Sequence, residues 1–267
     1  MHIIAVMSGK GGVGKSFVAT GLAAALQRRS GHAAVLDADI TGASVPHLLG
    51  VPRGAFGDSD GHLIPGVGAD GIRVVSMSLM ASADDKAVVW RGPLISNAIN
   101  ELFTETAWGG AEYLVVDMPP GTSDAALTVL EKLKPEGVVI VSTPQDMVAR
   151  IAHRSQDMVQ GMGGNVVGLV MNMAYVVCPD CDRHIEAFGP VRPSSGSGLE
   201  VLLTLPLVPE WATLADTGHV AEIAPKEFDA LADAVLSRLV SKQETSETSP
   251  ADGTPASSLV EAGGPVA

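Results

Sequence analysis

The amino-acid pattern points to an α/β fold in which a mostly parallel sheet carries helices on both faces. Short β-branched runs alternate with helix-patterned segments along most of the chain, the order that crossovers between parallel strands produce. Several of those runs are apolar on consecutive residues, as strands buried on both faces must be. A glycine-rich consensus marks the junction of the first strand pattern and the first helix pattern. At 267 residues the chain is long enough for one large core of this kind, and nothing in its length forces a split.

The first strand is expected over residues 2–7. Directly after it Gly9, Lys10, Gly11, Gly12, Val13, Gly14, Lys15 and Ser16 satisfy G-x-x-x-x-G-K-[ST] in the strand-loop-helix setting that the motif requires. Its glycines let backbone N–H groups turn inward around phosphates, Lys15 reaches the β and γ oxygens, and the Ser16 hydroxyl can ligate Mg²⁺. The helix that follows spans 15–29, and Phe17 in its first turn is counted with the nucleotide-binding set.

A second strand, 33–37, closes on Asp37, and Asp39 follows it. Two carboxylates spaced two apart share a face of an extended chain, at the carboxyl end of a parallel strand where ligands bind. A helix cap or turn at Asp39 is the alternative. A strand at 72–76 and a helix at 94–103 come next. The strand at 113–117 is apolar and ends on Asp117, the Walker B form, whose carboxylate holds Mg²⁺ through water or a protein hydroxyl. A stiff turn from Met118 to Asp124 caps a helix at 124–133, followed by a strand at 137–142, a helix at 145–162 and a strand at 166–171. A short strand near 204–206 and a helix from 226 to about 239 complete a P-loop ATPase domain of residues 1–240. Residues 192–198 read as a mobile loop, and 241–267 as a disordered, acidic, low-complexity tail.

The chain has two cysteines, Cys178 and Cys181. They offer no disulfide framework and read as a reduced thiol pair. The pair follows the sixth strand in a loop, not the head of a helix, which disfavours a thioredoxin-like redox centre. Asp180 beside them is expected to raise the thiol pKa unless a cation intervenes. Metal binding is therefore the expectation, yet two thiolates do not complete a four-sulfur site. The deficit points to a symmetric homodimer in which each subunit contributes one CxxC, able to hold either a 4Fe-4S cluster or Zn²⁺. His184 could replace a thiolate, although a lone histidine after a turn is more often a surface residue.

A formal charge of -13 argues against a phosphate-backbone binder. Arg28/Arg29 and Arg150/Arg154 read as solvated helix edges. The longest apolar stretch, 166–177, is too short to span a bilayer and is interrupted by Gly168 and Asn172. The N-terminus enters a strand at once, leaving no room for a cleaved leader. A cytoplasmic protein that binds neither nucleic acid nor membrane is expected.

Lys10, a second lysine inside the loop, resembles the deviant Walker A of the MinD, ParA and nitrogenase iron protein class, the SIMIBI-type P-loop NTPases. That resemblance implies that Lys10 reaches the partner subunit's nucleotide in a face-to-face dimer; without it, Lys10 is one more cation beside the phosphates. The whole chain resembles the Mrp/ApbC family of iron-sulfur cluster carrier ATPases. The likeness rests on SGKGGVGKS (8–16), LDADITGASVPHLLG (36–50), WRGP (90–93), YLVVDMPPGTSD (113–124), STPQD (142–146), MNMAY (171–175) and CPDC (178–181) with Phe188 and Gly189 beyond it.

The resemblance implies slow ATP hydrolysis that gates transfer of a 4Fe-4S cluster, carried on Cys178 and Cys181 of two subunits, between cluster-assembly scaffold proteins and apo iron-sulfur proteins. It makes Lys10, Lys15 and Asp39 catalytic, with Asp39 orienting the attacking water, and Asp37 a helper near Mg²⁺. It makes Asn172 an adenine contact, with Pro206 and Leu207 on the other side of the base. Read alone, Asn172 is equally a strand-end turn residue. Ala43 and Ser123 depart from the usual proline and glycine, and 192–198 is unfamiliar. Two other readings remain: a MinD/ParA-like positioning ATPase, which would need a basic terminal helix or face, and an ATPase whose paired CxxC holds structural Zn²⁺.

Overall fold

The structure is a computed structural model that describes residues 1–52, 54, 57–59, 61–80, 92–186, 188–189 and 199–247. The chain runs β1 (His2–Ser8), α1 (Lys15–Ser30), β2 (Ala33–Asp37), α2 (Val45–Leu48), a hairpin of β3 (Gly57–Ser59) and β4 (His62–Ile64), β5 (Gly66–Val67), β6 (Arg73–Ser76) and α3 (Met77–Met80). It continues through α4 (Gly92–Thr104), β7 (Tyr113–Asp117), α5 (Asp124–Thr128), β8 (Gly137–Ser142), α6 (Asp146–Gly161), β9 (Val166–Met171), a hairpin of β10 (Val176–Val177) and β11 (His184–Ile185), β12 (Val201–Thr204), α7 (Pro209–Asp216) and α8 (Pro225–Glu247).

Eight strands form one sheet in the order β12-β9-β8-β1-β7-β2-β6-β5. Every pair is parallel except β5 with β6. The period of two along each central strand sorts side chains into a core on each face. Ile4 and Val6 of β1 join Val35, Val115 and Val139 against α1 and α8. Their neighbours Ala5 and Met7 join Leu36, Leu114 and Val116 against α4 and α5. This is why the strands read as continuous apolar runs.

Helix α1 lies between the sheet and α8 and is buried from Val18 to Leu26. Gly21 permits the closest approach: a Cβ there would meet the Phe228 ring at 2.3 Å. The helix ends at Gly31, whose left-handed conformation (φ 74°) lets its N–H reach the Gln27 carbonyl. Arg28 and Arg29 are exposed at the edge of α1, as expected, and are also paired there. They pair with Asp229 and Asp233 of α8 and fasten the two helices.

Other differences have local causes. The strand expected at 204–206 is Val201–Thr204; Leu205 still donates to the Met171 carbonyl, but Pro206 has no N–H with which to extend a ladder. Beyond α5 the chain makes a π-helical turn, Val129–Leu133, that ends in left-handed Lys134 (φ 47°). Helix α8 passes the expected boundary at 240 and runs to Glu247, through the good helix formers Lys242, Gln243 and Glu244. The remainder of the expected tail, 248–267, and the loop at 192–198 lie outside the described residues, as do Trp90 and Arg91. Among the described residues no helix is long and apolar enough to cross a membrane.

Candidate functional site

The phosphate loop joins β1 to α1 at the carboxyl edge of the sheet, and β7 and β8 flank it. Two of its glycines, Gly12 (φ 79°) and Gly14 (φ 86°), hold left-handed conformations that turn the backbone around the loop. Gly14 is constrained twice, since a Cβ there would lie 2.1 Å from the Asn172 amide nitrogen.

Lys15 points back across the loop mouth. Its ammonium lies 2.7 Å from Asp117 Oδ1 and 3.6 Å from Asp39 Oδ2, and the Ser16 hydroxyl donates to Asp117 Oδ2 at 2.6 Å. The parallel registers that place Asp117 beside Val6 and beside Asp37 bring these groups together. Asp37, Asp39 and Asp117 are all buried, with Lys15 as the one buried ammonium among them. Burial first, and the Asp117 charge second, push the Asp37 pKa up to about 7 against the pull of Lys15. Burial also raises Asp117, opposed by Lys15 and by the Ser16 hydroxyl. An excess of buried carboxylate beside a hydroxyl is a hard-oxygen donor set that fits Mg²⁺.

The two acids of the second strand differ in role. Asp37 accepts from the Asp39 N–H (3.2 Å), the Val45 N–H (3.3 Å) and the Ser76 hydroxyl (3.2 Å), so it pins the acid loop and the start of α2. Asp39 is the one that faces Lys15, with Thr41 donating to it at 3.3 Å. Lys10 donates to Gln145 Oε1 at 3.0 Å within the same protomer.

Asn172 follows β9 and is buried. Its backbone N–H donates to the Ser142 carbonyl (2.8 Å) and its side-chain amide to the Val13 carbonyl (3.0 Å). It therefore grips the phosphate loop itself. Beside it opens a cleft of about 160 Å³. Phe17, Pro206 and Leu207 line it, and so do Met173 and Trp211, which the sequence analysis did not single out. The available signal was Pro209 at a first helical position followed by Glu210, which marks α7 and so turns Trp211 inward.

The cysteines occupy the turn of the β10–β11 hairpin. The Cys178 N–H donates to the Arg183 carbonyl (2.9 Å) and the Asp182 N–H returns to the Cys178 carbonyl (3.0 Å), while Tyr175 stacks on His184 with ring centroids 4.0 Å apart. Cys178 is half-buried and Cys181 exposed. The Cys178 pKa is lowered, first by the Asp180 N–H and then by the Cys181 thiol and N–H. The effect expected of Asp180 is thus reversed, because its backbone dipole reaches the sulfur. Among the described residues no group of three or more His, Cys, Asp or Glu is gathered to hold a metal ion, and His184 is held in its stack on Tyr175. From Asn172 to the thiols the chain is tied down by Ala174 N–H to Leu205 O and Leu207 N–H to Tyr175 O, a short backbone strip between the phosphate loop and the cysteine turn.

Comparison with known proteins agrees with both halves of this arrangement. The family model of the NUBPL iron-transfer P-loop NTPases (ParA) matches residues 1–241. The chain is 40% identical over 227 residues to the iron-sulfur cluster carrier protein of Pseudomonas fragi, covering 84% of this chain and 79% of that one. It is 42% identical over 216 residues to the carrier of Clostridium perfringens, covering 78% and 75%. Among solved structures, a nucleotide-binding protein from Archaeoglobus fulgidus in complex with ADP superimposes with a TM-score of 0.73 at 38% identity, covering 85% of this chain and 90% of that one. The cell division ATPase MinD of Pyrococcus furiosus, at 21% identity and a TM-score of 0.62 over 88% and 98%, shares the fold. Matched over residues 1–241, the chain belongs to the family of NUBPL iron-transfer P-loop NTPases.

Proposed function

We propose that this chain hydrolyses ATP slowly and uses the cycle to carry a 4Fe-4S cluster, taken up between two subunits and handed to apo iron-sulfur proteins. The observation that carries the reading is the cysteine turn: two thiols presented together, one with a lowered pKa, with no third ligand gathered around them among the described residues. Two thiolates are half of a cluster's ligand set, and a second copy of the same turn supplies the other half. The names of the relatives support the cargo.

The nucleotide half follows from the loop. Lys15 leaves Asp117 for the β- and γ-phosphates, Asp39 orients water in line with the γ-phosphate, and Lys10 exchanges Gln145 for the partner's nucleotide. Mg²⁺, when bound, supplies the charge that shields the phosphates; Ser16 and Asp117 would hold it, with Asp37 close behind. Asn172, released from or tightened on Val13 as the loop fills, shifts the strip that leads to Cys178 and Cys181. Exposed thiols fit a reducing, cytoplasmic setting.

Steady-state ATPase of the wild type beside Lys15→Ala and Asp39→Ala tests the first half; a fall of two orders of magnitude or more is expected in both, and unchanged rates overturn it. Anaerobic iron and sulfide quantification after reconstitution, on the wild type and on Cys178→Ala/Cys181→Ala, tests the second. The wild type should turn brown with about two iron atoms per subunit and the double variant stay colourless. A colourless wild type that retains Zn²⁺ makes the thiol site structural.

A further inference from the structure

We infer that Trp211 supplies the stacking face for the nucleotide base, and that α7 exists in its observed position to hold that face beside the phosphate loop. The inference rests on the nucleotide reading above and goes beyond it by assigning base recognition to an element that no phosphate-loop motif contains.

The cleft next to Gly14 lies where α1 begins, so a nucleotide whose phosphates follow the loop places its base there. Its walls are almost wholly apolar, and beside the Trp211 indole N–H only Asn172 brings a polar side chain to the lining. One N–H of the Asn172 amide is taken by the Val13 carbonyl. Recognition in such a cleft falls to burial and ring stacking, not to a set of directed hydrogen bonds.

The aromatic tier is built from the core outward. Phe228 is fully buried, Phe17 meets it edge-on at 5.7 Å and 67°, and Trp211 lies nearly parallel to Phe17 at 5.9 Å and 23°. Helix α7 is also fixed at both ends. Pro209 occupies its first turn, and beyond its last residue Gly218 (φ 83°) packs so closely that a Cβ would stand 2.5 Å from the Gly50 Cα. A face held this rigidly loses little freedom when a base lands on it.

Isothermal titration of the full chain with ATP and, separately, with inorganic tripolyphosphate, each with Mg²⁺, tests the inference. Stacking of a base on an aromatic side chain predicts that Trp211→Leu weakens ATP binding by roughly tenfold or more, raises KM for ATP hydrolysis with kcat held, and leaves tripolyphosphate affinity unchanged. Trp211→Phe, which keeps a smaller ring, should fall between. Wild-type ATP affinity in Trp211→Leu, or a parallel loss for tripolyphosphate, overturns the inference. A wild type that binds neither ligand overturns the nucleotide reading itself, which separates the two failures.

Discussion

Asp37 shares with Asp117 the cost of building this site, since burial pushes both carboxyls up. Its folded pKa of about 7 stands well above the 3.8 of a free aspartate. Between those values the folded chain keeps a proton that the unfolded chain has released, so stability falls as pH rises from about 4 to about 7 and stays low above that. Three pKa units set an upper bound of roughly 4 kcal/mol for this one group. Thermal unfolding of the nucleotide-free chain at pH 5 and pH 8 should show the loss, and Asp37→Asn should lessen it, leaving the share that burial of Asp117 contributes. Mg²⁺ with ATP should stabilise the chain more at pH 8 than at pH 6, since it meets the carboxylate in its charged form. Equal midpoints for the wild type across this range would contradict the argument. The sequence made Asp37 and Asp39 a pair with a shared outlook, because spacing fixes which face of a strand a residue takes. Spacing does not fix which N–H groups then fold back onto it, and here Val45 and Ser76 claim Asp37.

Among the elements, α1 and α8 make the sharpest case for packing over propensity. Glycine inside a helix ordinarily costs about 1 kcal/mol against alanine, so Gly21→Ala would be stabilising on an exposed helix. Here the new methyl group would meet the Phe228 ring at 2.3 Å, and Phe17, one turn before Gly21 on the same helix, already meets that ring edge-on. Overpacking of this kind costs about 1–3 kcal/mol. Urea denaturation should therefore place Gly21→Ala below the wild type by up to about 2 kcal/mol, the overpacking cost less the propensity gain, with the loss smaller when the same change is made in a Phe228→Leu background. The long buried strands were legible because continuous Val, Ile and Leu runs admit few other structures. The two-residue strands β10 and β11 were not, since two residues carry no period, and their pairing depends on Tyr175 meeting His184 across the turn. Helix α7 carries a local signal in Pro209 and Glu210, but its packing does not, because its partners, Phe17 and the Gly50 loop, lie far away in the chain.

Taken as one body, the chain separates the residues that fold it from its thiol pair. Its cores lie on the two faces of the eight-stranded sheet, whereas Cys178 and Cys181 sit on a ribbon of two short strands outside that sheet. Among the described residues neither cysteine belongs to an apolar core cluster. Cys178→Ala/Cys181→Ala should unfold within about 2 °C of the wild type when both are metal-free, since solvent-facing substitutions shift stability by only about ±0.5 kcal/mol. Small zinc domains behave in the opposite way, collapsing when the metal leaves. A vessel whose walls do not lean on their contents can be emptied and refilled without being rebuilt, and under the carrier function proposed above the placement of this one hairpin would give the chain that freedom.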